Sequence, residues 1–118
     1  MKTSQQLIDE AKAAIRQVTP QDVLEQVQRG DDIVLVDIRE QNEWNLGHLP
    51  NALYIGRGVL EREIEKRVPR DANIVLYCAS GNRSALSARV LEEMGYTSVA
   101  SMSGGIREWV DRGGEVED

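Results

Sequence analysis

Cysteine and histidine are scarce in this chain of 118 residues, which has one of each. A single cysteine cannot close an internal disulfide, so a packed core must hold the fold. One cysteine with one histidine also gives poor material for a zinc site, and no metal is expected. Long apolar runs are missing too. No stretch approaches the roughly 20 residues a membrane helix needs, and the first residues lack the apolar centre of a signal peptide. No membrane contact and a cytoplasmic location are the expectations. Repeats and low-complexity tracts are absent, and positive charge is in deficit. The net charge of −6 argues against nucleic acid or an anionic bilayer as the main partner. It leaves a small anionic substrate open, because the local field outweighs the total. Of the 14 basic residues, 11 are arginines.

A chain of this length makes one domain. Residues 4–18 read as an amphipathic helix with Leu7, Ile8, Ala11, Ile15 and Val18 on one stripe. Thr19 is a good N-cap for a helix over 20–29, with Pro20 at its first position and Asp22 at the positive end of its dipole. That helix turns Val23, Leu24 and Val27 inward and stops at Gly30. Ile33-Val34-Leu35-Val36 has the continuous apolar character of a strand buried on both faces. Residues 41–51 read as a loop, 52–55 as a short strand, 57–68 as a helix closed by Pro69, and 74–77 as a third strong strand. A helix over 84–94 ending at Gly95, a weaker strand over 97–102 and a last helix bearing Ile106, Trp109 and Val110 complete the pattern. The tail 113–118 is glycine and acid and is expected to fray. Strands alternating with helices imply an α/β fold, a mainly parallel sheet flanked by helices on both faces.

Ligands of such sheets sit beyond the carboxyl ends of the strands. The lone cysteine, Cys78, is at one such end, in Cys78-Ala79-Ser80-Gly81-Asn82-Arg83-Ser84. Gly81 and Asn82 tolerate unusual backbone angles, so the loop can curl with its N–H groups inward. Arg83 adds a permanent charge and a planar fork of donors, and Ser84 is placed to open the next helix, whose N-terminus favours an anion. A cysteine that only filled a core would need none of these neighbours. No histidine lies nearby in sequence to act as a base, so electrostatic lowering of the thiol is the expected route to a nucleophile. Cys78 and Arg83 are separated by four residues. Protein-phosphatase cradles resemble this loop but carry one residue more. The shorter ring suits one added sulfur atom better than a tetrahedral phosphate.

Asp37 and Arg39, at the end of the other strong strand, can line the same rim. They read first as an ion pair bracing the active loop, and second with Arg39 as a further anion contact. His48 reads as structural, Trp44 and Trp109 as packing residues, and Glu40 as solvated.

Taken together, the motifs resemble a single-domain rhodanese, a thiosulfate sulfurtransferase. Besides the Cys78 loop, Val34–Glu40 is similar to the family's first-strand motif. Gly47-His48-Leu49-Pro50-Asn51-Ala52 is similar to its Gly-His-Ile-Pro-Gly-Ala turn, with Asn51 where glycine is usual. Gly104-Gly105-Ile106-Arg107-Glu108-Trp109 is similar to its closing Gly-Gly-x-x-x-Trp. The four motifs occur in the family's order across residues 19–112. Residues 1–18 then form an N-terminal helical extension, expected to pack on the domain or to contact a partner.

The resemblance implies that Cys78 is the nucleophile of a double displacement. A sulfane sulfur would pass from thiosulfate to cyanide or a thiol through a Cys78 persulfide, with no cofactor. The amides of Ala79, Ser80, Gly81, Asn82, Arg83 and Ser84 would stabilise the anionic sulfur, and Arg83 would orient the incoming oxyanion. A small thiol, a thioredoxin-like protein or a sulfur-carrier protein is the implied acceptor. Two alternatives stay open: a non-catalytic binding module on the same scaffold, and a cysteine-based phosphatase or arsenate reductase.

Overall fold

The computed structural model describes residues 1–118. Its elements are α1 (Ser4–Ala14), β1 (Arg16–Val18), α2 (Pro20–Arg29), β2 (Val34–Asp37), α3 (Gln41–Asn45), β3 (Leu53–Tyr54), α4 (Leu60–Arg67), β4 (Asn73–Tyr77), α5 (Asn82–Glu93), β5 (Ser98–Met102) and α6 (Gly105–Asp111). The five strands form one sheet in the order β1-β5-β4-β2-β3, and all four pairings are parallel. No helix is long and apolar enough to cross a membrane.

The period-two alternation of the strands divides the core into two layers. Ile74, Leu76 and Cys78 face one side, with Ala11 and Ile15 of the N-terminal segment, Leu60 and Ile64 of α4, and Ala85, Ala88 and Leu91 of α5. Val75 and Tyr77 face the other, with Val23 of α2 and Ile106 and Trp109 of α6. Helices therefore cover both faces, as the parallel sheet requires. In register, Asp37 pairs with Tyr77, so the two strong strands deliver Arg39 and Cys78 to the same edge.

Several local expectations are met atom by atom. Thr19 Oγ1 accepts from the Asp22 N–H at 3.0 Å while the Asp22 carboxylate accepts from the Thr19 N–H at 2.9 Å, which closes the start of α2 in a capping box. Asn51 sits at φ 64°, the left-handed position in which it can replace glycine.

Other expectations are corrected. The helix expected over 4–18 ends at Ala14, and Arg16–Val18 pair with β5 as an edge strand. Ile15 and Val18, taken as one stripe, belong to opposite faces of the sheet. Their spacing fits a helix and a chain crossing an edge equally well. The segment 41–51 includes a short helix, α3, of only five residues, too brief to show a helical period. Val27, expected inward, is 42% exposed, because it sits on the rim of a shallow pocket shared with Leu24, Leu49 and Trp109. The acidic tail, expected to fray, is held down. His48 and Glu117 exchange two backbone hydrogen bonds of 2.9 Å, and the Trp109 indole N–H donates to the Glu115 carbonyl at 2.8 Å.

The N-terminal segment packs on α5 through Ala11 and Ile15, whereas Leu7 is 47% exposed. Ile15→Ala is expected to cost about 2–4 kcal/mol, read as a lower urea midpoint at unchanged slope. Leu7→Ala should stay within about 0.5 kcal/mol of the parent. Equal midpoints for the two variants would show that the segment is not part of the packed body.

Candidate active site

β4 runs out at Tyr77, and the next side chain on the α5 face is Cys78, 1% exposed. The chain must then turn within a few residues into α5. Gly81 makes the turn at φ 97°. A Cβ there would also lie 3.1 Å from the Gly104 amide nitrogen, a tight fit, so the backbone angle calls for glycine and the space favours it. As a result the Gly81 N–H donates to Cys78 Sγ at 3.1 Å and the Ser84 N–H at 3.4 Å. The Ser84 hydroxyl is 3.5 Å from the sulfur. Burial pushes the thiol's pKa up, but the Ser84 hydroxyl and the amides of Ser84, Ser80 and Gly81 outweigh it, and the net shift is downward. The start of α5 at Asn82 adds the positive end of a 12-residue helix.

The opposite ends of the loop's peptide groups are fixed from behind. The Cys78 carbonyl accepts from the Ile106 N–H at 2.9 Å, and the Ala79 carbonyl accepts from the Arg107 N–H at 3.1 Å. Both donors lie in the first turn of α6, where a helix leaves its own N–H groups free. The fit is close. Gly105 stands at φ 59°, and a Cβ there would fall 2.5 Å from both carbonyl oxygens. The Gly104-Gly105 pair was legible as a turn, but its role as the back wall of the cysteine loop was not.

At the neighbouring strand end, Arg39 is 7% and Asp37 0% exposed. Arg39 Nε lies 3.1 Å from each Asp37 carboxylate oxygen, and one terminal nitrogen donates to Asp37 at 2.8 Å and to the Gly47 carbonyl at 2.7 Å. The pair thus ties the end of β2 to the 47–52 turn. Tyr77 supports the same turn by accepting from the Leu49 N–H at 3.1 Å. Burial first, then the Asp37 charge, raises the phenol's pKa far above its ordinary value, so Tyr77 is a neutral hydroxyl.

Arg83 lies outside this buried bracket. Its guanidinium is 3.5 Å from Glu43 on α3, with the two side chains 40% and 30% exposed. Burial pushes the Glu43 carboxyl up, but the Glu40 N–H, Arg83 and Arg39 outweigh it and hold the group below its usual range. Glu43 fell inside the stretch read as loop; its only sequence signal was the Glu40-x-x-Glu43 spacing of a helix start. An open groove of about 600 Å³ is lined by Arg39, Glu43, Leu46, Ile106, Arg107 and Val110 among others, with Cys78 and Arg83 outside its lining.

Of the residues singled out from sequence, Gly81 and Ser84 donate to the Cys78 sulfur, the Ser80 amide helps to lower its pKa, and Ala79 turns its carbonyl to α6. Asn82 opens α5 two residues earlier than expected, and Arg83 pairs with Glu43. His48 is buried and stacks on Trp44 with ring centroids 3.4 Å apart, and Trp109 is 4% exposed in the core. No group of three or more His, Cys, Asp or Glu side chains is placed to hold a metal ion.

Comparison with known proteins agrees with this architecture. The rhodanese-like domain family matches residues 19–112. A sulfurtransferase of Allochromatium vinosum is 35% identical over 83 residues, covering 70% of this chain and 77% of the relative. A probable adenylyltransferase/sulfurtransferase of Mycobacterium tuberculosis is 30% identical over 93 residues, 78% of this chain, which spans 24% of that longer protein. Among solved structures, a Rhodopseudomonas palustris protein of unknown function, described as a possible tyrosine phosphatase, superposes with a TM-score of 0.90 at 35% identity. The match covers 99% of this chain and 96% of that one. With a parallel sheet delivering a cysteine loop to its carboxyl edge and the family matched over most of its length, this chain belongs to the rhodanese-like domain family.

Proposed function

We propose that this domain moves a sulfane sulfur from thiosulfate or a related donor to cyanide or a thiol, through a persulfide on Cys78. The observation that carries the reading is the convergence of backbone N–H groups on Cys78 Sγ, in a ring with four residues between cysteine and arginine. In the first half-reaction the Cys78 thiolate attacks the outer sulfur of thiosulfate. The sulfur–sulfur bond of the donor breaks, sulfite leaves with its electron pair, and Cys78 keeps the terminal sulfur as an anionic persulfide. In the second, a cyanide ion or thiolate attacks that terminal sulfur and the Cys78 thiolate departs. Negative charge stays at the loop throughout, and preorganised amides suit it at no reorganisation cost.

In this reading the amides of Ala79 to Ser84 cradle the anionic sulfur, and Arg83 orients the incoming oxyanion. Arg39 contributes positive potential at the rim, and Asp37 holds it. The scheme uses no metal and no organic cofactor. The acceptor thiol belongs to a small molecule, a thioredoxin-like protein or a sulfur-carrier protein, and the cytoplasm is the setting in which such thiols stay reduced.

The description of the Rhodopseudomonas neighbour favours a second reading, phosphate-ester hydrolysis. That chemistry calls for a protonated carboxyl near the leaving group. The cysteine loop holds no carboxyl, and its four residues between Cys78 and Arg83 are one short of a phosphatase cradle, which speaks for sulfur transfer.

Incubation with thiosulfate is expected to add about 32 Da, one sulfur atom held covalently, and cyanide should remove it; Cys78→Ser should show no gain. Persistent sulfur transfer in the Cys78→Ser protein, or aryl-phosphate hydrolysis that depends on Cys78, would overturn the proposal. Because the thiol is shifted downward, its thiolate fraction at neutral pH should exceed that of a free cysteine, whose midpoint is about 8.5. The pH profile of alkylation should therefore have its midpoint below that value, and a midpoint at or above it would contradict the cradle.

A further inference from the structure

Ser101 lies on β5, whose alternation places Ala100 and Met102 in the α6-side core and leaves Ser101 on the side of α5. Ser101 and Ser84 are both 0% exposed, and their hydroxyl oxygens are 2.7 Å apart. The Ser84 oxygen also lies 3.3 Å from the Gly81 carbonyl and 3.5 Å from Cys78 Sγ. Ser84 has one proton for these three neighbours. Ser101 resolves the choice, because Ser84 is the sole hydrogen-bond partner of its hydroxyl. A buried hydroxyl with one available acceptor donates to it, since an unmet donor is costly. Ser84 then cannot donate to Ser101, and its proton goes to the Gly81 carbonyl or to sulfur. The Gly81 carbonyl already accepts from the Ala85 N–H at 3.2 Å, and an anionic sulfur is the stronger acceptor.

We propose that Ser101 is a positioning residue for the nucleophile: its hydroxyl donates to Ser84, fixes the Ser84 oxygen beside the sulfur of Cys78 and strengthens the hydrogen bond that Ser84 gives it. The inference deepens the reading of Cys78 as a thiolate nucleophile and rests on it. It extends the cradle from backbone amides to a two-hydroxyl chain reaching across to β5. The charged groups on the elements around the loop are Arg83, Arg89, Glu92 and Glu93 on α5, Glu43 on α3, Asp37 and Arg39 at the end of β2, and Arg107, Glu108 and Asp111 on α6. Removing the Ser101 hydroxyl alters none of them.

The test titrates the Cys78 thiol in the full chain by thiolate absorbance and by alkylation rate against pH. Ser101→Ala is expected to lower the thiolate fraction at a fixed pH below the midpoint by about two- to threefold, about 0.3 to 0.5 pH unit in the midpoint. Ser84→Ala should lower it at least as much. The double variant should match Ser84→Ala alone, because Ser101 acts only through Ser84. An unmoved profile for Ser101→Ala, or a double variant whose loss is the sum of the two single losses, would overturn the inference. Ser101→Gly also deletes the hydroxyl, and the titration is read on whichever of the two variants keeps the parent's far-UV spectrum. Mass gain on thiosulfate is measured in parallel on the unaltered chain. A thiol that titrates as described yet takes up no sulfur refutes the transfer reading and leaves the role of Ser101 standing.

Discussion

The orientation of the peptide groups after Cys78 is the constraint on which the site depends. A peptide group presents a donor on one edge and an acceptor on the other. A loop that aims N–H groups at an anion must therefore aim carbonyls away, and those carbonyls need partners. The first turn of α6 supplies them, with Ile106 and Arg107 donating to the carbonyls of Cys78 and Ala79. Two helix starts thus act on one loop from opposite sides. α5 presents its free amides to the sulfur, and α6 presents its own to the loop's back. The second contact allows no side chain at position 105, where a Cβ would fall 2.5 Å from both carbonyls. The glycine pair in the closing motif belongs to the site as much as the cysteine does.

The parallel sheet places these parts within reach of each other. β4 and β2 are neighbours in register, so Cys78 and Arg39 emerge at one edge, and β5 on the other side brings Ser101 and the Gly104-Gly105 turn. The tail then closes the far wall. Glu117 holds His48 by two backbone bonds, and Arg39 holds the adjacent Gly47 carbonyl. The turn at 47–52 is thereby gripped from the sheet side and from the tail side, and its first residue, Gly47, lines the open groove.

What was legible in the sequence follows from locality. Val34–Val36 and Ile74–Tyr77 announced buried strands because their apolar runs are continuous, and Thr19-Pro20-x-Asp22 announced a capped helix because capping is settled within four residues. The Cys78 loop was legible because its glycine, arginine and serine lie within six positions. The unread parts depend on tertiary contact. Arg16–Val18 became a strand because the edge of β5 was open to pairing, overriding an apolar spacing that also fits a helix. Glu43, Ser101 and Gly105 joined the site through partners 40, 17 and 27 residues distant along the chain, at Arg83, Ser84 and Cys78. No window of local pattern contains such pairs.

The two arginines at the rim differ in what they can do for an arriving anion, and magnitudes decide between them. Arg39 and Asp37 are buried and joined at 2.8 Å. Pulling one partner from such a pair strands a charge in the interior, at about 3–5 kcal/mol. Arg83 and Glu43 meet at 3.5 Å with both side chains partly exposed, and pairs of that kind contribute about 0–1 kcal/mol. An oxyanion that offers Arg83 a bidentate contact competes with Glu43 on favourable terms, whereas it gains nothing by competing with Asp37. Of the two arginines, Arg83 is thus the one held more weakly, by a partly exposed Glu43. Arg39, paired with Asp37, is a brace for the turn. From sequence the Asp37–Arg39 pair reads as a brace for the cysteine loop; in the fold the pair braces the 47–52 turn instead, through the Gly47 carbonyl.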